Sequence, residues 1–222
     1  RRHSFPTRRS SDLRLLREPD LREIRELLAI GEGSIKYLTI APELAGALNA
    51  IDYLVNHGVI VAIGHSNANA TETQSAISAG ATVVTHFNNG MAKLGAVDSL
   101  SEAALNSDIY LELIQDGHHV SKLDSLRIFN LAASRLVAVT DAMSAAALGD
   151  GEYQIGSLSV NVKDGVAKLA GTTTLAGSTL TMLKAFMNYF QLVGFEQAVK
   201  LTSINPSKIL GLNPYKSYIG IK

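Results

Sequence analysis

Val59-Ile60-Val61-Ala62-Ile63-Gly64-His65 is the stretch on which the fold turns: an apolar run rich in β-branched side chains, closed by an imidazole. Its length and composition are those of a buried strand. The pattern recurs twice. Ala81-Thr82-Val83-Val84-Thr85 ends in His86, and Leu136-Val137-Ala138-Val139-Thr140 ends in Asp141. Each run is followed by a helix-like segment, and alternating strands and helices imply a parallel sheet whose chemistry gathers at its carboxyl edge. Two His and one Asp at that edge are the inventory of a metal site with a proton-transferring carboxylate.

The flanking sequence supplies more units of the same kind. Residues 15–30 predict a charged amphipathic helix, with Pro19 near its first turn and Gly31 past its end. Residues 37–41 predict a strand. Pro42 then opens a helix carrying Leu44, Ala47, Leu48, Ile51, Leu54 and Val55 on one face, stopped by Gly58. After His65 a helix is expected over 70–79, ending at Gly80, and a short one near 101–105 follows the loop after His86. Residues 109–114 form a strand before Gln115-Asp116-Gly117-His118-His119, and a helix over 122–133 leads to the Asp141 strand. Residues 153–169 alternate about a Lys163-Asp164-Gly165 turn, which predicts a small β excursion. Helices over 178–192, 195–203 and 206–210 complete the chain.

These are five strand–helix units, whereas a closed (β/α)8 barrel needs eight strands and usually ~250 residues. A doubly wound open sheet would place a glycine-rich phosphate turn after its first strand, and Gly64-His65-Ser66-Asn67 is not one. The spread of polar residues over several strand ends favours a barrel mouth. The expected fold is therefore α/β: the C-terminal part of a TIM-like (β/α)8 metal-dependent hydrolase barrel, cut at both ends, with a small β excursion after the last strand.

At 46% hydrophobic and 18% charged residues, the composition is that of a globular protein with a sizeable core. The chain has no Cys, which excludes disulfides and thiolate ligands and leaves nitrogen and oxygen donors for any metal. No apolar run approaches the ~20 residues that span a bilayer, and a cytoplasmic location is the default expectation. Residues 1–13, RRHSFPTRRSSDL, stand apart. From His3 onward they resemble the conceptual translation of a sequencing adapter, so residues 1–13 are expected to be a disordered artefact and 14–222 the partial barrel domain. A basic tail or transit peptide is the alternative, but no amphipathic helix of useful length is present there. Without that segment the charge is about −3, and nothing basic remains to argue for nucleic acid or an acidic membrane surface.

A family resemblance rests on an ordered set of motifs. They are Thr39-Ile40-Ala41-Pro42-Glu43, Gly64-His65-Ser66-Asn67-Ala68, Thr85-His86-Phe87-Asn88-Asn89-Gly90-Met91 and Asp116-Gly117-His118-His119-Val120. Val139-Thr140-Asp141-Ala142, Leu175-Ala176-Gly177-Ser178 and Asn205-Pro206-Ser207-Lys208 continue it. Together they resemble the N-acetylglucosamine-6-phosphate deacetylases of the amidohydrolase superfamily, over residues 15–222. The resemblance implies a divalent cation, Zn2+ or Fe2+, held by a Glu and two His, with His65 and His86 as the two His. It implies Asp141 as the catalytic Asp, and Asn89, the backbone of Gly90, and His119 as contacts to an amino-sugar phosphate. Leu175, Ala176 and Gly177 resemble the loop over the sugar ring, and His118 aligns less well than His119. Taken singly, His65 reads as a core imidazole and Asp141 as a helix cap; at neighbouring strand ends, all three read as a site. Glu43 follows Pro42 at an expected helix N-terminus, where the dipole suffices to stabilise a carboxylate, and is left out of the ligand set.

Two departures stand out. The family's metal-binding Glu lies in a His-x-Glu-Gly-Pro type motif upstream of residue 15, which this chain does not contain. Where the family has a phosphate-binding Arg, the chain reads Lys93-Leu94-Gly95-Ala96-Val97-Asp98, and Lys93 offers a point charge rather than a bidentate fork. The implied reaction is metal-assisted hydrolysis of an acetamide to acetate and an amino-sugar phosphate, with Asp141 as base and then acid. The parent is expected in amino-sugar catabolism, as a homodimer when complete, and the fragment is expected to be inactive. Two other readings stay open: an amidohydrolase acting on a cyclic amide, which would share His65, His86 and Asp141, and a non-catalytic sugar-binding fragment.

Overall fold

The computed structural model describes residues 17–213. The adapter-like reading of residues 1–13 lies outside the described residues, as does Leu15 at the head of the first expected helix. Among the described residues no helix is long and apolar enough to cross a membrane.

Five parallel strands form one sheet: β1 (Tyr37–Ile40), β2 (Ile60–Ile63), β3 (Val83–Val84), β4 (Tyr110–Ile114) and β5 (Leu136–Val139). Sheet order equals chain order. Helices α2 (Ala47–Asn56), α3 (Ala70–Ser78), α4 (Leu100–Leu105) and α5 (Lys122–Ala132) lie in the four crossovers, and α1 (Leu21–Gly31) precedes β1. This stepwise progression is that of a barrel wall. Val61, Ile63, Leu111, Leu113 and Leu136 share one core with Ile51 and Leu54 of α2 and Ile128 of α5. Strands sandwiched in this way carry nearly continuous apolar runs, which is why they were legible.

The sheet is rolled. The Tyr37 hydroxyl of β1 donates to Glu112 Oε1 of β4 at 2.6 Å. Three strand spacings in a flat sheet amount to roughly 14 Å, so the two side chains meet only across a concave face. The Thr39 hydroxyl of β1 and the Thr85 hydroxyl just past β3 also meet, at 3.0 Å, across the intervening β2. Gly64 lies beside them because a Cβ there would stand 2.7 Å from Thr85 Cβ and 2.9 Å from Thr39 Cγ2.

Beyond β5 the chain builds a second sheet of three antiparallel strands, β6 (Gly151–Ile155), β7 (Leu158–Lys163) and β8 (Val166–Leu169). The alternating pattern predicted two runs about the 163–165 turn; the turn is there, and β6 adds a third strand. This sheet has a small core of its own, with Val160, Val162, Ala167 and Ala176. The chain then returns to the barrel wall at Ser178, whose N–H donates to Asp141 O at 2.8 Å and whose carbonyl accepts from Met143 N at 2.9 Å. Helix α6 (Met182–Val193) follows, anchored by the Tyr189 hydroxyl on Leu113 O at 3.0 Å. Helix α7 (Phe195–Val199), a π-helical turn (Lys200–Ile204) and α8 (Asn205–Ile209) run on without a break.

Three helix starts differ from the sequence reading, each for a local reason. Helix α1 begins at Leu21 because Asp20 caps it, accepting from Arg22 N at 2.8 Å. Helix α2 begins at Ala47 rather than Pro42: Leu44 N and Ala47 N close successive turns, and Gly46 at φ 79° interrupts them before the helix. Helix α6 begins at Met182 because Ser178 is engaged with the Asp141 strand, leaving Thr181 to cap Lys184 N.

Candidate active site

The carboxyl ends of β2, β3 and β5 deliver His65, His86 and Asp141 to one cavity of about 540 Å3, together with Asn89, Gly90 and His119. The His65 and His86 rings lie 4.6 Å apart. All three strand-end residues have left-handed backbones: φ is 50° at His65, 34° at His86 and 48° at Asp141. Side chains with a Cβ seldom adopt this region, which costs on the order of 1–3 kcal/mol and is retained where the surroundings enforce it. Here each bend ends the strand and turns its polar side chain over the edge of the sheet.

The enforcement is visible around each bend. The Glu43 carboxylate accepts from Ser66 Oγ at 2.6 Å and from Asn67 N at 2.8 Å, pinning the loop that follows His65. Glu43 is therefore not a helix N-terminal acid, as the sequence had implied; it sits in the turn before α2 and ties two strand ends together. Around His86, Nδ1 donates to Asn89 O at 3.0 Å, which leaves Nε2 as the nitrogen with a lone pair. Its backbone N–H approaches Glu112 Oε2 at 3.4 Å. Gly90 packs so close that a Cβ would fall 2.7 Å from His86 Cε1. At Asp141, the carbonyl is held by Ser178 N, and Gly177 lies where a Cβ would be 3.1 Å from that carbonyl.

Burial shapes the electrostatics. It pushes the His86 ring down, against the opposing pull of its hydrogen bonds. It pushes the Glu112 carboxyl up, although the Tyr37 hydroxyl works the other way. Asp141 stands open to the cavity, yet its walls desolvate the carboxyl and raise it above the usual range, with the charges of His119 and His65 pulling it back. Such a carboxyl is poised to exchange protons.

Lys93 reaches the Asn88 carbonyl and lies 3.4 Å from Asn89 Oδ1, behind the residues that line the cavity. Leu175 and Gly177 line the cavity, whereas Ala176 does not: its methyl is wholly buried in the core of the small sheet, and its N–H bonds Ala167 O. Ser144, Gln154, Ile155 and Thr174 were missed by sequence reasoning and form the far wall. The small sheet puts them there through pairing that no local pattern announces.

Two converging imidazoles, one with its tautomer fixed by a carbonyl, suit a borderline cation such as zinc or iron. Among the described residues no three His, Asp or Glu side chains converge as a single ion would require. The pair therefore fits part of a cation's shell.

Fold and site together define a partial barrel of the amidohydrolase type. Comparison with known proteins makes this particular. No protein-family model matches the chain. It is 35% identical over 200 residues to the N-acetylglucosamine-6-phosphate deacetylase of Vibrio furnissii, covering 88% of this chain and 50% of that protein. It is 36% identical over 203 residues to an N-acetylgalactosamine-6-phosphate deacetylase of Escherichia coli O157:H7, covering 90% and 54%. In structure it superposes with a TM-score of 0.88, at 39% identity, on an N-acetyl-D-glucosamine-6-phosphate deacetylase variant from Mycobacterium smegmatis in complex with N-acetyl-D-glucosamine-6-phosphate; 91% of this chain and 56% of that one are covered. Over most of its length the chain is similar to N-acetylglucosamine-6-phosphate deacetylases, and it spans about half the length of the curated relatives it matches.

Proposed function

We propose that residues 14–222 are part of an enzyme that hydrolyses the acetamide of N-acetylglucosamine 6-phosphate to glucosamine 6-phosphate and acetate. The observation that carries this reading is the convergence of His65, His86 and Asp141, from three parallel strand ends, on one cavity. His65 and His86 would hold a divalent cation, zinc or iron. Such an ion supplies Lewis acidity to an amide carbonyl and acidifies a water.

The chain's own residues do the rest. As water attacks the acetyl carbon, an Asp141 carboxylate oxygen takes its proton. The same carboxyl returns a proton to the amide nitrogen as the C–N bond breaks, so that acetate and the amine leave in balance. Asn89, the Gly90 backbone and His119 bind and orient the sugar phosphate, Leu175 and Gly177 cover the ring, and Lys93 adds positive charge behind Asn89. The E. coli relative that acts on the galactose epimer keeps the hexosamine open as a second substrate class.

The test is acetate release from both hexosamine 6-phosphates by the complete parent protein, with zinc or iron supplied. Turnover of N-acetylglucosamine 6-phosphate is expected; turnover of cyclic amides alone would overturn the reading.

A further inference from the structure

The ladder between β3 and β4 ends with one residue too many, and that residue is His86. Val84 is registered on Leu111, and Tyr110 N takes Thr82 O at 2.9 Å. Parallel strands bond at every second residue, which assigns Glu112 O to His86 N. Phe87 N takes it instead, at 2.6 Å. His86 is left out of the ladder, with its backbone at φ 34° and without the carbonyl that regular pairing supplies. The side chain of Glu112 provides a substitute: Oε2 accepts from His86 N at 3.4 Å. One residue of β4 thus receives two consecutive amides, Phe87 on its carbonyl and His86 on its carboxylate.

The carboxylate is aimed from the far side of the concave face. Its Oε1 accepts from the Tyr37 hydroxyl of β1 at 2.6 Å. Burial, then the Glu112 charge, push the Tyr37 phenol well above its ordinary value, so the hydroxyl keeps its proton and donates. One donor on each oxygen fixes the plane of the carboxylate. His86 is only 7% exposed, so an amide left unpaired there has little water to turn to. We propose that Glu112 is a positioning residue for His86: aimed by Tyr37, its carboxylate takes the amide displaced from the ladder and holds the left-handed bend that turns the imidazole into the cavity. This role rests on the reading of His86 as a ligand of the divalent cation and deepens it.

Hydrogen-bond chemistry separates such a role from a general contribution to stability. Glu112→Gln keeps a carbonyl for the His86 amide, because the Tyr37 hydroxyl can reverse and accept from the new NH2. Glu112→Leu removes the acceptor, and Tyr37→Phe removes the hydroxyl that would then be stranded. The two changes together exchange a polar pair for apolar groups of similar size, so the wall stays packed while the His86 amide alone loses its partner.

The experiment uses the complete parent protein. Zinc affinity is measured by competition with a chromogenic chelator, cobalt(II) is substituted to read the ligand geometry, and the metal-free variants are crystallised. The Tyr37→Phe, Glu112→Leu double variant should stay folded, bind zinc weaker by on the order of 10–100-fold and show shifted cobalt(II) absorption bands. Without metal, residue 86 of that variant should leave the left-handed region. Glu112→Gln should keep the bend and hold zinc far better than the double variant. A structural role alone would lower the urea midpoint and leave the zinc affinity and cobalt(II) spectrum of the folded protein unmoved. That result, an unmoved φ at residue 86, or a loss in Glu112→Gln as large as in the double variant overturns the proposal. Unchanged zinc affinity in His86→Ala overturns the ligand reading instead, and the metal-free bend at residue 86 still decides the role of Glu112.

Discussion

Asp141 occupies a place where three influences meet: desolvation raises its carboxyl, His119 and His65 pull it down, and a left-handed backbone fixes where it points. A base works only when ionised, so kcat/KM of the parent should fall on the acid side at a pH above the 3.8 of an ordinary Asp. Asp141→Asn should remove that limb and lower turnover by roughly 10²–10⁴-fold, as measured by acetate release. Gly90→Ala tests the packing behind His86, since the new methyl would overlap the ring at a φ of 63°. It should cost about 1–3 kcal/mol in urea denaturation and displace the His86 resonance. Asp116 gives a pH-dependent term. Its folded value of about 2 against 3.8 contributes about 2 kcal/mol above pH 4, lost as pH falls from 3.8 toward 2. Asp116→Asn should flatten the acid branch of the stability curve over that window. His65, His86 and Asp141 were legible in the sequence because each closes an apolar run. Their left-handed backbones were not, since no shared turn motif distinguishes these three residues from ordinary strand ends; Gly64 precedes His65, but no glycine adjoins His86 or Asp141.

Among the elements, α4 shows how a short helix is made to hold. It is six residues long, too short to be stable alone, with Ser99 capping its start and accepting from Glu102 N. Its other end is served from outside: the Arg135 guanidinium donates to the carbonyls of Ala104, Leu105 and Ile109. One residue before β5 thus ties the end of α4 to the start of β4. Arg135→Met should cost about 2–4 kcal/mol, read as a lower urea midpoint with an unchanged slope, because carbonyls lose a charged donor. The five strands were read correctly because Val, Ile, Leu and Ala dominate them, although β1 and β4 also carry the partly buried Tyr37, Thr39, Tyr110 and Glu112. Helix α2 was read five residues too early because Pro42 resembles a helix start, while the carboxylate of Glu43 is taken up by Ser66 and Asn67, distant in sequence. The same kind of distant pairing hid the third strand of the small sheet.

For the molecule as a whole, β1 and β5 each have a single neighbour among the described strands, so each presents an unpaired edge. Apolar side chains stand bare beyond the β5 side, with Leu183 of α6 74% exposed and Phe195 of α7 64% exposed. Relatives are about twice as long as this chain. The chain alone should therefore self-associate in size-exclusion chromatography and release no acetate, whereas a parent of the relatives' length should run as a discrete species and turn over. Discrete behaviour and substantial turnover by the chain alone would show that the barrel wall is sufficient by itself. The adapter-like segment has its own check, a genomic read through the codons of residues 3–13; finding them in native DNA sinks the artefact reading.

The clasp between Ala142 and Ser178 carries a further consequence. Everything from Met143 to Gly177 departs from the sheet edge and returns to the same spot, so the far wall of the cavity hangs on the barrel as a cassette with adjoining ends. Selection, or an engineer, can exchange that cassette without disturbing the strand ends that hold the chemistry. Grafting the corresponding stretch of the E. coli N-acetylgalactosamine-6-phosphate deacetylase between these two positions should move hexosamine preference toward the galactose epimer while the proposed Asp141-dependent pH profile stays where it was.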